Sequence, residues 1–261
     1  MKKFLLVASL LLGSGAAGVA KAADIAPAPE AAPAPMFTQW TGFYVGDLTG
    51  YGWANSKNDT SLYRSTPPYV FVERNTINNS GFLDGLEVGF NWMVGPGWLI
   101  GVEADAQVSE IEAAATDCVN GSCGRTKSFI DFIATLRGRI GYAWGNWMVY
   151  ATGGGAFVQV DNYRTAVAGI GPFVWGDTGA WGWTAGGGAE FGLGEFPFLS
   201  QFGLNSWTAK VEYLFIDFNA SHDYTFASAP AFDRHTSGET QLDLVRVGFN
   251  YHFNAAPPPM K

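Results

Sequence analysis

Trp98-Leu99-Ile100-Gly101-Val102-Glu103-Ala104-Asp105-Ala106-Gln107-Val108-Ser109 holds two sets of residues that never mix. Ile100, Val102, Ala104, Ala106 and Val108 fall on one side, and Gly101, Glu103, Asp105, Gln107 and Ser109 on the other. A helix would blend the two sets on one face, whereas a strand, whose side chains alternate, keeps them apart. The preceding stretch, Gly81–Trp92, repeats the scheme, with Leu86, Val88, Phe90 and Trp92 set against Gly85, Glu87, Gly89 and Asn91. The same period of two runs through Trp40–Ala54, Ser128–Tyr142, Trp147–Asp161, Ala180–Phe191, Trp207–Phe218 and Gln241–Phe253. That gives eight predicted strands, each longer than the usual ~5–6 residues and long enough to cross a bilayer at a tilt, which takes roughly 9–11.

Composition agrees with a β protein. Of 261 residues, 48% are hydrophobic, 15% aromatic and only 15% charged, with 34 glycines. So apolar a chain is not disordered, and no Gly-X-Y period supports a collagen helix. No apolar run after residue 22 approaches the ~20 residues of a spanning helix.

The first 22 residues read as a secretory signal: Lys2 and Lys3, an apolar core from Phe4 to Leu12, and the A-x-A site Ala20-Lys21-Ala22. Cleavage there leaves 12 basic against 23 acidic residues, a net charge of −11 that makes nucleic acid a poor partner. Residues 23–39, rich in Ala and Pro, form an extended periplasmic linker, residues 40–253 the folded domain, and 254–261 a short tail.

The connections alternate in length. Asn55–Ser80, Glu110–Lys127, Asn162–Gly179 and Asn219–Thr240 are long, while Met93–Gly97 and Ala143–Asn146 are short, with Gly192–Ser206 an intermediate exception. Outer-membrane barrels show this asymmetry, with short turns on the periplasmic side. Aromatics gather at strand ends, among them Trp40, Phe43, Tyr44, Trp92, Trp98, Tyr142, Trp144, Trp147, Trp207, Tyr251 and Phe253, as an interfacial girdle would require. The expectation is therefore an all-β chain, an eight-stranded antiparallel transmembrane β-barrel in the outer membrane of a Gram-negative bacterium. Lipid and lipopolysaccharide would surround it. Its lumen would hold Glu87, Glu103, Asp105, Arg137, Arg139, Glu190, Lys210, Glu212 and Arg246, five acids and four bases that can pair. Asp47 resists the scheme: it shares parity with Phe43, Val45 and Tyr51 while Leu48 points the other way, which leaves room for a bulge or a local face switch.

Trp40-Thr41-Gly42-Phe43-Tyr44-Val45-Gly46, Leu136-Arg137-Gly138-Arg139-Ile140-Gly141-Tyr142, Lys210-Val211-Glu212-Tyr213-Leu214 and the closing Val245–Phe253 resemble the small outer-membrane proteins of alphaproteobacteria, a porin-like family of opacity-type eight-stranded barrels. The resemblance covers about residues 40–253. In the last strand, Arg246, Gly248, Tyr251 and Phe253 resemble the signal read by the barrel-insertion machinery. Some relatives bind haem.

Chemical sites are few. Cys118 and Cys123 flank Asn120-Gly121, and in an oxidising compartment a short disulfide is expected; two cysteines do not supply the four ligands of a structural metal site. His222 and His235, near Asp223 and Asp233, are the candidates for haem or metal capture, although two such histidines are more often simply solvated. His252 has lumen parity. No G-x-S-x-G is present, and Gly153-Gly154-Gly155 and Gly186-Gly187-Gly188 sit inside strands instead of before helices, so neither an enzyme nor a phosphate loop is expected. No cofactor is expected. A lumen filled by side chains and a structural or surface role follow, with a narrow solute channel or haem binding as the alternatives.

Overall fold

The computed structural model describes residues 40–65, 68–119, 122–164, 173–195, 197–202, 204–226 and 232–254. The predicted signal, the linker and all but Asn254 of the tail lie outside these described residues. Eight strands, β1 Gly42–Ser65, β2 Pro68–Met93, β3 Trp98–Val119, β4 Ser122–Trp144, β5 Trp147–Arg164, β6 Phe173–Gly192, β7 Trp207–Phe226 and β8 Phe232–Asn254, form a closed barrel in chain order. Every neighbouring pair is antiparallel, and β1 pairs with β8.

The stagger of the barrel follows from its register. Partners lead from Gly46 through Glu87, Asp105, Thr135, Ala156, Gly182, Phe218 and Thr240, and return to β1 at Ser56, ten residues further along the same strand. In an eight-stranded barrel that shear tilts the strands by about 40° and leaves an interior just wide enough for side chains.

The strands overrun their predicted ends. The segments read as long loops are mostly continuations of the wall: β1 and β2 stay paired to Ser65 and Pro68, β3 and β4 to Val119 and Ser122, and β7 and β8 to Phe226 and Phe232. The apolar alternation fades there, and a hairpin can keep its ladder bonds without it. Beyond the rim the wall divides, because β2–β3 pairing ends at Ser80 and Glu112, and β6–β7 pairing at Gly182 and Phe218. Two four-stranded ribbons continue, β2-β1-β8-β7 and β3-β4-β5-β6. On the opposite rim the turns are short, except where Gly192 leads through Leu193–Glu195, the one-turn helix α1 Pro197–Ser200 and Leu204–Ser206 into β7.

Register shifts fall at Val108/Ile111, Ile130/Phe132 and Val160/Asn162. None falls in β1, whose pairing with both neighbours is unbroken, so the bulge considered at Asp47 is absent: Asp47 faces outward, and Tyr44 and Leu48 face inward, both fully buried. Trp40 and Tyr44 likewise leave the girdle expected of them and fill the lumen. The remaining aromatics make two outward rows. One, at the short-turn end, includes the pairs Phe43–Phe90, Trp98–Tyr142, Trp147–Phe191 and Trp207–Tyr251, with ring centroids 4.7–5.5 Å apart. The other, unforeseen, holds Tyr51–Phe82, Phe157–Trp181 and Trp183–Phe215 at 5.1–5.4 Å.

Glycine governs the close approaches inside. Gly89 lies opposite Tyr44, and a Cβ there would intrude on a ring already stacked on His252 at 5.3 Å and hydrogen-bonded to Glu103. Gly89→Ala should therefore destabilise the barrel by about 1–3 kcal/mol, the range for overpacking. Gly138→Ala, on the outer face where the nearest heavy atom to a new Cβ is 4.0 Å away, should stay within about 0.5 kcal/mol of the parent. Urea titration of the barrel in lipid vesicles measures both.

Candidate functional site

The nine charged residues expected in the lumen come from six strands, and their burial follows from period-two alternation on a closed wall: one face of each strand has nowhere to go but inward. All nine are buried, none more than 5% exposed. Arg137 of β4 is the hub. It contacts Glu103, its cross-strand partner on β3, reaches Asp105 at 2.8 Å, and spans the lumen to Glu212 of β7 at 2.9 Å. Arg246 pairs with Glu212 beside it and with Asp105 across the barrel at 3.0 Å. Lys210 contacts Glu87 and reaches Glu103 at 3.3 Å.

Arg139 makes a second centre nearer the short-turn end. Its guanidinium lies 4.9 Å from the ring centroids of both Tyr44 and Tyr150, donates to Asn91 at 2.8 Å, and meets Glu103 at 3.2 Å and Glu190 at 3.4 Å. Glu190 also accepts from Thr208 at 2.5 Å and Asn250 at 3.3 Å, and faces His252 Nε2 at 3.0 Å. Thr208, Asn250, His252, Tyr44 and Tyr150 were outside the predicted charge set. Parity already placed His252 in the lumen and reaches Thr208 and Asn250, which sit an even number of residues from Lys210 and Arg246; Tyr44 and Tyr150 follow from register, opposite inward Gly89 and Gly141.

Apolar layers bracket the charges. Toward the long-hairpin end the inward positions become Leu83, Ile111, Ile130, Ile133, Val158, Leu214, Ile216, Phe218, Leu242 and Leu244, all at most 2% exposed. The switch is visible along single strands: β7 runs inward as Lys210, Glu212, Leu214, Ile216, Phe218, and β8 as Leu242, Leu244, Arg246. At the other end Trp40, Leu99, Met148 and Tyr150 form a smaller cluster. The lumen is thus filled by an ionic layer between two apolar ones.

The other candidates fare differently. Cys118 and Cys123 stand directly opposite in the β3–β4 register, one pair from its end, but their side chains lie outside the described residues. The side chains of His222 and His235 do too. Backbone register pairs His235 with Asp223 and His222 with Thr236 in the β7–β8 ribbon. Of the predicted insertion signal, Arg246 belongs to the ionic layer, Gly248 pairs with inward Leu48, and Tyr251 and Phe253 are outward, 5.0 Å apart at the short-turn rim. Among the described residues no group of three or more His, Cys, Asp or Glu could hold a metal ion.

Burying so much charge is tolerable only while each ion keeps its partners; removing one partner of a buried pair costs about 3–5 kcal/mol. Arg137→Ala takes one partner at once from Glu103, Asp105 and Glu212, which keep Arg139, Lys210 and Arg246, and should lower the unfolding free energy by about 3–5 kcal/mol. Arg137→Lys keeps the charge but loses the planar fork, and should fall between. Urea unfolding followed by tryptophan emission checks the order.

Known proteins place this architecture. The chain is 31% identical over 220 residues, 82% of its own length, to the 31 kDa outer-membrane immunogenic protein of Brucella melitensis, and 84% of that relative is covered. The protein of the same description from Brucella suis matches with the same figures. Among solved structures, the outer membrane protein OprG from Pseudomonas aeruginosa superposes with a TM-score of 0.51, covering 81% of this chain and 97% of that one, at 11% identity, a likeness of fold alone. The outer membrane protein beta-barrel domain describes residues 9–253. The chain belongs to that family, and its place is the outer membrane of a Gram-negative bacterium.

Proposed function

We propose that this protein is a closed wall element of the outer membrane, with a structural and cell-surface role and no standing pore. One observation carries the reading: the apolar layer formed by Leu83, Ile111, Ile133, Val158, Leu214, Ile216, Leu242 and Leu244, each at most 2% exposed, crosses the lumen above the ions. Hydrophobic constrictions exclude water, and without a water column small ions do not pass. The charges beneath contribute by tying opposite walls together. The outward apolar belt suits lipid and lipopolysaccharide, and the Arg246, Gly248, Tyr251, Phe253 pattern suits recognition by the barrel-insertion machinery. Single-channel recording in planar bilayers tests the seal. The full chain should give no stable, large conductance steps; such steps would end the reading. Ile133→Asn with Ile216→Asn, which wets the apolar layer, should introduce brief small steps.

A disulfide between Cys118 and Cys123 belongs to the same proposal, supported by their direct opposition near the end of the β3–β4 hairpin in an exported protein. Thiol titration of the denatured, unreduced protein should find no free thiol, and two would refute the bond.

A further inference from the structure

The connection from β6 to β7 is unlike the other two on its rim. Val94–Gly97 and Gly145–Asn146 are tight turns, whereas Leu193–Ser206 reads Leu-Gly-Glu-Phe-Pro-Phe-Leu-Ser-Gln-Phe-Gly-Leu-Asn-Ser, with Glu195 as its single charge. A connection between two strands needs neither three phenylalanines nor three leucines. Part of this apolar content turns toward the barrel: Leu193 is buried, and Leu199 and Leu204 are half-buried. The rest does not. The Phe202 amide donates to the Leu199 carbonyl at 3.0 Å just after α1, and the Phe198 and Phe202 rings meet edge to face at 5.3 Å. Phe198 is 69% exposed and Phe202 64%, as open as Phe82 and Leu136, both 67%, on the outer wall.

What covers the pair is set by where its stems stand. Phe191, just before Gly192, and Trp207, just after Ser206, both belong to the outward aromatic row at this rim, paired with Trp147 at 5.3 Å and Tyr251 at 5.5 Å. Such rows sit at headgroup level. The connection therefore leaves the wall and rejoins it at the membrane boundary, and the apolar phase beside both stems is the phospholipid leaflet. Exposed aromatic surface at that boundary partitions into the leaflet, and a single charge in the segment opposes this little. We propose that the β6–β7 connection is a membrane foot, with Phe198 and Phe202 inserted among the phospholipids at the short-turn rim. The contact lies outside the belt of the barrel wall, and it rests on that wall facing lipid.

The test keeps both rings and puts a reporter between them, at exposed Gln201. In a Cys118→Ser, Cys123→Ser background the full chain is refolded into phospholipid nanodiscs, and bimane is attached at Gln201→Cys. Dibrominated phosphatidylcholine should quench it at least threefold more than bimane at Gly95→Cys in the β2–β3 turn, where a new side chain meets nothing within 4 Å. Iodide in the buffer should give the reverse order. Adding Phe198→Ser and Phe202→Ser should return the Gln201→Cys reporter to the Gly95→Cys level, whereas Phe198→Leu with Phe202→Leu should leave it in lipid. Unheated gel migration verifies that each variant is folded. Bimane at Ala151→Cys, exposed on the outer wall, separates the two readings. If the brominated lipid quenches Ala151→Cys but not Gln201→Cys, the foot is overturned and the wall stands; if it quenches neither, both fall. A folded Phe198→Ser, Phe202→Ser variant whose reporter stays in lipid also overturns the proposal.

Discussion

The ion pairs that cross the lumen are what the rest of this barrel depends on. Arg137 to Glu212, Arg246 to Asp105 and Lys210 to Glu87 each join strands that are not neighbours in the sheet, so they hold opposite walls at a fixed separation. An eight-stranded barrel with a stagger of ten has room for one layer of interlocking side chains, and long Arg and Lys arms meeting Glu fill it. Once charges occupy the inner face, the outer face is left with Leu, Val, Ile and aromatic residues, and lipid is the solvent that accepts them. The membrane-facing surface and the ionic interior are thus one constraint seen from two sides.

How much of this was legible in the sequence depended on whether the two faces of a strand differ in chemistry. Along Leu136–Tyr142 and Lys210–Tyr213 they do, and the nine lumen charges could be named from parity alone. Above the rim polar residues fall on both parities, as in Asn75-Thr76-Ile77-Asn78-Asn79-Ser80, so alternation vanishes and the sequence reads as loop where the structure has strand. The apolar lumen layer escaped for the opposite reason: Leu214, Ile216, Leu242 and Leu244 are apolar on the inner face while Phe215 and Val245 are apolar on the outer. Bulges at Val108/Ile111 and Ile130/Phe132 hid it further by breaking the register of Ile111 and Ile130 with their neighbours. Aromatics at strand ends fit either solvent, so Trp40 and Tyr44 read as girdle in the sequence; their burial, with His252 stacked against Tyr44 and edge-on to Trp40, places them in the lumen.

The layering also bears on how so many ions can be held inside the wall. A polar lumen alone would invite water from both ends. Here the apolar residues of β3, β4, β7 and β8 close the long-hairpin side, and Trp40, Leu99, Met148 and Tyr150 narrow the other. Within that enclosure each carboxylate is held by several donors at once, Glu190 by Arg139, Thr208, Asn250 and His252, which offsets its desolvation.

A buried ionic network is weak evidence for stability, because well-packed apolar residues often do as well. Its value here lies in register. A slip of one residue between neighbouring strands would turn every apolar side chain inward, and lipid forbids that. A slip of two keeps all the faces correct and costs the apolar pattern almost nothing, so hydrophobicity cannot exclude it. The charges can: Glu103 stands directly opposite Arg137, and Glu212 directly opposite Arg246. Moving either strand by two residues sets Arg137 against Gly101 or Asp105, and Arg246 against Lys210 or Leu214. Three of those four slips oppose an arginine to a lysine or to a residue without charge. The fourth keeps acids opposite both Arg137 and Arg139, Asp105 facing the first and Glu103 the second, so it is the β7–β8 seam, where both slips lose the pair, that discriminates. At that seam the register is held by a charge pairing that the apolar pattern cannot supply.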